Sequence, residues 1–100
     1  MAGELSKKAL MGECLNDDEY EEAFDELYRY VDLINEQVSL RARGRIVSDV
    51  WQSWLEEIEA NLNLPVFAQA WTEIKSRSKG LEELRRLERE KLKSDPKYWR

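Results

Sequence analysis

Apolar residues along this chain recur at helical spacing, and the two-residue alternation of a strand appears nowhere. The clearest stretch follows Asn16-Asp17-Asp18, good N-cap residues with acids suited to the positive end of a helix dipole. From there Tyr20, Phe24, Leu27, Val31, Ile34 and Val38 follow at intervals of 4, 3, 4, 3 and 4. Those intervals draw a seam down one long amphipathic helix, which Tyr28 and Leu33 are expected to widen. Arg41 and Arg43 suit its negative end, and Gly44 stands where a left-handed cap would close it. Ahead of this helix, Leu5, Ala9, Leu10, Cys14 and Leu15 suggest a short helix over 4–15. Gly12 weakens it by about 1 kcal/mol relative to Ala.

Ser48 is the expected N-cap of a further helix, with Val50, Trp51, Trp54, Leu55, Ile58 and Leu62 on one broad face. Pro65 suits a helical first turn, and Phe67, Ala70, Trp71 and Ile74 give the helix it starts a buried side. Ser76 to Gly80 is turn-like. Leu81, Leu84, Leu87 and Leu92 mark a last, charge-rich helix with a thin stripe, stopped by Asp95-Pro96. That stripe suggests a dimer arm or a projecting helix, and Tyr98-Trp99 an aromatic anchor. The predicted architecture is all-α. It is a small bundle of four or five helices around one long central amphipathic helix. It forms a single domain over 1–100, with 1–15 and 94–100 as loosely attached ends.

Composition narrows the chemistry. The 100 residues contain no His and one Cys, so no imidazole base, no internal disulfide and no thiolate zinc site can be built. The four Gly are isolated, which excludes a phosphate-cradling loop. The Asn16-Asp17-Asp18-Glu19 run lacks the Gly and ligand spacing of a calcium loop and reads as a helix cap. Cys14 reads as a small apolar residue, despite Lys7 and Lys8 nearby, and a carboxylate pair such as Asp32 and Glu36 has no distinguishing context. No catalytic residue, cofactor or metal ligand is assigned. One Cys and the absence of a signal-peptide pattern or a membrane-length apolar run point to a cytoplasmic chain.

The net charge of -5 conceals an asymmetry. Residues 1–40 hold eleven acids and three bases, and residues 41–100 hold thirteen bases and ten acids. Seven acids fall between Asp17 and Glu26, while the bases gather from Lys75 to Arg100. Glu82, Glu83, Glu88 and Glu90 interleave with Arg85, Arg86, Arg89, Lys91 and Lys93. Glu82 and Arg86 stand at the spacing of a helical ion pair. Such alternation argues for a solvated or self-neutralising helix over one that reads nucleic acid.

The run Asp32-Leu33-Ile34-Asn35-Glu36-Gln37, then Leu40-Arg41, Gly44-Arg45-Ile46, Trp51, Trp54, Ile58, Asn61-Leu62, Pro65, Phe67 and Ala70-Trp71 resembles an uncharacterised bacterial family of small helical domains. Leu84-Arg85-Arg86-Leu87 and Asp95-Pro96 with Trp99 extend the resemblance. Members of that family often follow predicted membrane-spanning helices. The resemblance implies bacterial origin and a cytoplasmic face near a membrane, and carries no activity.

The same residues have a physical reading. Asp32 or Glu36 is expected to pair with Arg41 or Arg45 and fix the angle between two helices; Asn35 lies on the same side. Alternatively these groups form a polar recognition patch. Trp54 and Trp71 are candidates for an interface or for lining a pocket. The favoured expectation is a non-enzymatic helical interaction module, self-associating or bound to a protein partner. A sensor of small molecules or lipid head groups using a Trp54–Trp71 pocket is the alternative. A nucleic-acid-associated regulator using Lys75 to Arg100 is the third.

Overall fold

The long helix begins where Asn16 and Glu19 cap each other. Asn16 Oδ1 accepts from the Glu19 amide at 2.8 Å, and Glu19 Oε1 accepts from the Asn16 amide at 3.0 Å. This reciprocal box satisfies two otherwise unpaired amides and launches α1, Asp17–Ala42. A computed structural model describes residues 7–99. Within them α1 is followed by α2 (Ser48–Leu62), α3 (Pro65–Arg77), α4 (Glu82–Arg89) and a 3-10 turn, Pro96–Tyr98. The fold is all-α, and no strand occurs among the described residues.

The seam of α1 is buried from Tyr20 to Val38, with Phe24 half-buried. Tyr28 and Leu33 do not widen it, since both are exposed. Tyr28 is one residue after Leu27 and Leu33 one residue before Ile34, and about 100° of helical rotation carries each off the buried arc. Ala23, one turn before Leu27, is buried instead. Two clusters grow from the seam. Near its start, Tyr20, Ala23 and Leu27 meet Ala9 and the Val66, Phe67 and Ala70 side of α3. Further along, Val31, Ile34 and Val38 meet Trp51 and Ile58 of α2, Trp71 and Ile74 of α3, and the leucines of α4.

The leucine stripe of α4 is therefore not a dimer arm. Leu84 and Leu87 are fully buried in the same core as α1. The helix is also shorter than its leucines suggest, ending at Arg89 rather than at Asp95-Pro96. Leu92 is five residues after Leu87, which would put it off the stripe. The chain instead reverses at Lys91 and Leu92, both with positive φ, and Leu92 returns to the core. The Leu92 amide donates to Leu87 O and the Lys91 amide to Glu88 O, both at 2.9 Å. That double closure is a Schellman cap. The same closure ends α1, where Gly44 takes the left-handed position as expected. It also ends the first helix, which stops at residue 10 and does not reach Leu15, because Gly12 (φ +83°) is its cap. Glu4 and Leu5 of that expected helix lie outside the described residues, as does Arg100.

Two more boundaries differ by chemistry. Val47, not Ser48, is the N-cap of α2, and no side chain caps it. Pro65 is the first residue of α3, as its fixed φ favours. Residues 94–99 contact the body of the fold through several side chains. Pro96 is buried, Asp95 is held by Arg41, and the Trp99 indole donates to Ser94 Oγ at 3.0 Å beneath Arg86. Ala9, among the described residues before α1, is buried in the first cluster.

Candidate functional site

The polar groups singled out in the sequence fall into three environments. Arg41 continues the α1 seam three residues past Val38 and is only 3% exposed. Its partner is neither Asp32 nor Glu36. Its guanidinium grips Asp95 from two sides, Nε to Oδ1 at 2.9 Å and Nη2 to Oδ2 at 2.7 Å, and Nη1 donates to Ile46 O at 2.6 Å. The bond from Arg41 holds the Asp95 carboxyl below the usual carboxylate range, and burial only partly opposes it. Asp32 and Arg45 are exposed, and Glu36 makes a long contact of 3.6 Å with Arg43. Of the two arginines expected to pair, Arg41 does so, because the seam turns it inward and leaves Arg45 beyond the helix end; the partner is Asp95 in place of Asp32 or Glu36.

Asn35 has a structural task that spacing alone did not reveal. Leu81, the N-cap of α4, has a left-handed backbone and no side chain able to cap. Asn35 Oδ1, coming from α1, accepts from the Leu84 amide at 2.9 Å. It supplies across the core what a local Ser or Asp would supply.

The two tryptophans do not form one pocket. Trp71 is 3% exposed, and its indole N–H donates to Glu88 Oε2 at 2.8 Å. Lys75 completes this knot, donating to Glu88 Oε1 at 2.8 Å and lying 5.2 Å from the Trp71 ring centre. The small cleft beside Trp71, about 170 Å³, is lined by Leu62, Leu92 and polar neighbours but not by Trp54. Trp54 is half-buried against the main core cluster.

A larger concavity of about 610 Å³ opens where α3 ends and α4 begins. Five cations line it, Lys75, Arg77, Lys79, Arg85 and Arg89, with Ser76, Ser78 and a single carboxylate, Glu82. The turn after α3 folds the chain back so that cations from two helices and the turn converge. Arg85 builds the floor. Its guanidinium donates to Gly80 O at 2.7 Å, Lys75 O at 3.2 Å and Ser78 O, which neutralises carbonyls at the negative end of α3. Lys79 and Arg89 are exposed and make no ion pair among the described residues. Arg86, expected to answer Glu82, turns instead to Glu90 at 3.1 Å.

A second groove of about 470 Å³ runs beside it between α1 and α3. It is lined by Asp17, Glu21, Asp25 and Glu73, with Tyr20, Phe24, Gln69 and Arg77. Burial, then the nearby charge of Glu73, pushes the Tyr20 phenol up to about 12. Arg77 lines both concavities and pairs loosely with Glu73 one turn earlier, so the acidic and cationic surfaces adjoin along α3. The sequence announced both charge runs; the juxtaposition came from the turn at 78–80, which no periodicity encodes.

Among the described residues, no group of three or more Asp, Glu or Cys side chains is gathered to hold a metal ion, and no helix is long and apolar enough to cross a membrane. Compared with protein-family models, curated proteins and solved structures, the chain matches none of them. The bacterial-family resemblance therefore rests on the quoted residues alone.

Proposed function

We propose that the chain is a non-catalytic helical interaction module that takes an acidic segment of a protein partner into the cationic cleft between α3 and α4. One observation carries this reading. A chain of net charge -5 concentrates five cations around one concavity and admits a single carboxylate to its lining. Such a surface focuses attraction at contact range, while screening over about 8 Å at physiological salt mutes the repulsion of the whole chain.

Three carboxyls with displaced titration owe it to the fold and lie outside the cationic cleft. The carboxyls of Asp95, Glu19 and Glu90 are lowered by the groups that hold the fold, Arg41, the Asn16 amide and Ser94 in turn. A protein segment fits better than single-stranded nucleic acid, because no aromatic ring lines the cleft for base stacking. The Trp54–Trp71 sensor is disfavoured by size, since the cleft beside Trp71 is smaller than the roughly 300 Å³ of an ordinary ligand site.

Fluorescence anisotropy of a labelled oligoglutamate peptide tests the proposal. Binding should appear with the native chain, weaken as salt is raised, and vanish with the double variant Lys79→Glu, Arg89→Glu. Binding that survives the variant, or tighter binding of an oligothymidylate, would refute it.

A further inference from the structure

We infer that the acidic segment filling the cationic cleft is the α1 edge of a second copy of this chain, in a two-fold dimer. The inference rests on the interaction reading above and names its partner. The acidic groove supplies the matching chemistry, with Asp17, Glu21 and Asp25 on α1 and Glu73 on α3. Glu21, Asp25, Lys79 and Arg89 are exposed and make no ion pair within the described chain, so their charges are available to a neighbour.

The arrangement of the two surfaces dictates the symmetry. They adjoin along α3, with Arg77 common to both linings. A two-fold axis near that boundary lays the acidic groove of one copy on the cationic cleft of the other, and does the reverse at the same time. The interface is then self-complementary and closed, in contrast to an open chain built from patches at opposite ends. The buried seam of α1 and the leucines of α4 are spent inside the monomer, so the contact is electrostatic and polar. A contact of this kind is weak, forms quickly and is sensitive to salt.

A charge-swap experiment in solution tests this. One variant carries Lys79→Glu and Arg89→Glu, the other Glu21→Lys and Asp25→Lys. Sedimentation equilibrium of the native chain at physiological salt should give twice the chain mass at high micromolar concentration, with dissociation increased about tenfold by 0.5 M salt. Each variant alone should sediment as a single chain. Their equimolar mixture should recover a one-to-one dimer, because one contact is then native and the other is restored with reversed sign. Arg45→Glu with Lys97→Glu makes the same change in net charge away from the cleft and should leave the dimer intact. A native chain that stays single near millimolar concentration, or a mixture that fails to pair, would overturn the inference. If oligoglutamate still binds the native cleft in that case, the interaction reading stands and only the second copy is excluded. If it does not, both fall.

Discussion

Replacing Arg41 with Met removes the charge while keeping most of the buried stem. It deletes three hydrogen bonds, two to Asp95 and one to Ile46 O. Breaking a buried ion pair costs about 3–5 kcal/mol. The lower end applies here, because Asp95 keeps 32% of its side chain exposed and water can take over some of its bonding. A loss of about 3 kcal/mol is a large share of the roughly 5–15 kcal/mol that holds a domain together. At about 4–8 °C per kcal/mol, Tm should fall by at least about 12 °C. Asp95→Ala should cost as much or more, since it strands a guanidinium that is only 3% exposed. Urea unfolding followed by tryptophan emission, run as a double-mutant cycle, should give a coupling of at least about 1 kcal/mol between the two residues. The pH dependence has a defined sign. Asp95 is lowered in the folded state, so its contribution is complete above the ordinary carboxylate pKa of about 4. It is lost as pH falls through the folded value. Arg45→Ala, at an exposed position, should shift stability by no more than about 0.5 kcal/mol. Equal, small effects at Arg41 and Arg45 would refute the reasoning.

Other consequences are separately measurable. Asn35→Ala should cost about 1–2 kcal/mol by thermal melting because it uncaps α4, and Asn35→Asp, which keeps the acceptor, should cost less. Lys91→Gly should stabilise by about 1 kcal/mol in chemical unfolding, since Lys91 is exposed and holds a left-handed backbone (φ 58°) that suits Gly. The Tyr20 phenol, raised by burial and Glu73, should stay protonated until about pH 12 in an ultraviolet titration. The stability it confers is full below pH ~10, the unfolded value, and declines as pH rises through 12. Glu73→Gln should bring that titration lower.

The backbone architecture was legible because periodicity and capping agree at most positions. The α1 seam, the Asn16 cap, the Gly44 closure and Pro65 at a first turn each follow from one residue type at one spacing. The misreadings have physical causes. Tyr28 and Leu33 are apolar, but rotation takes them off the seam, whereas Arg41 is charged and falls on it. Polarity alone leaves Arg41 and Arg45 equivalent as partners of Asp32 or Glu36; register singles out Arg41, and its acid, Asp95, is distant in sequence. In sequence Asn35 stands beside Asp32 and Glu36. Its real partner is a backbone amide 49 residues away, and no local pattern encodes such a contact. Trp71 was legible as a core residue, yet its link to Glu88 depends on how α3 and α4 dock. The cationic cleft was visible only as a bias in composition. Its concavity required the left-handed Leu81 and the carbonyl-binding Arg85 that fold the turn back.

The most direct test of the cleft's proposed role is a heteronuclear NMR titration of the labelled chain with oligoglutamate. Amide shifts should move together at Lys75 to Gly80 and around Arg85 and Arg89, saturate with a single affinity, and leave Val47, Val50 and the α2 surface unmoved. Shifts scattered over every exposed cation, or centred on Arg45 and Lys97, would contradict the account.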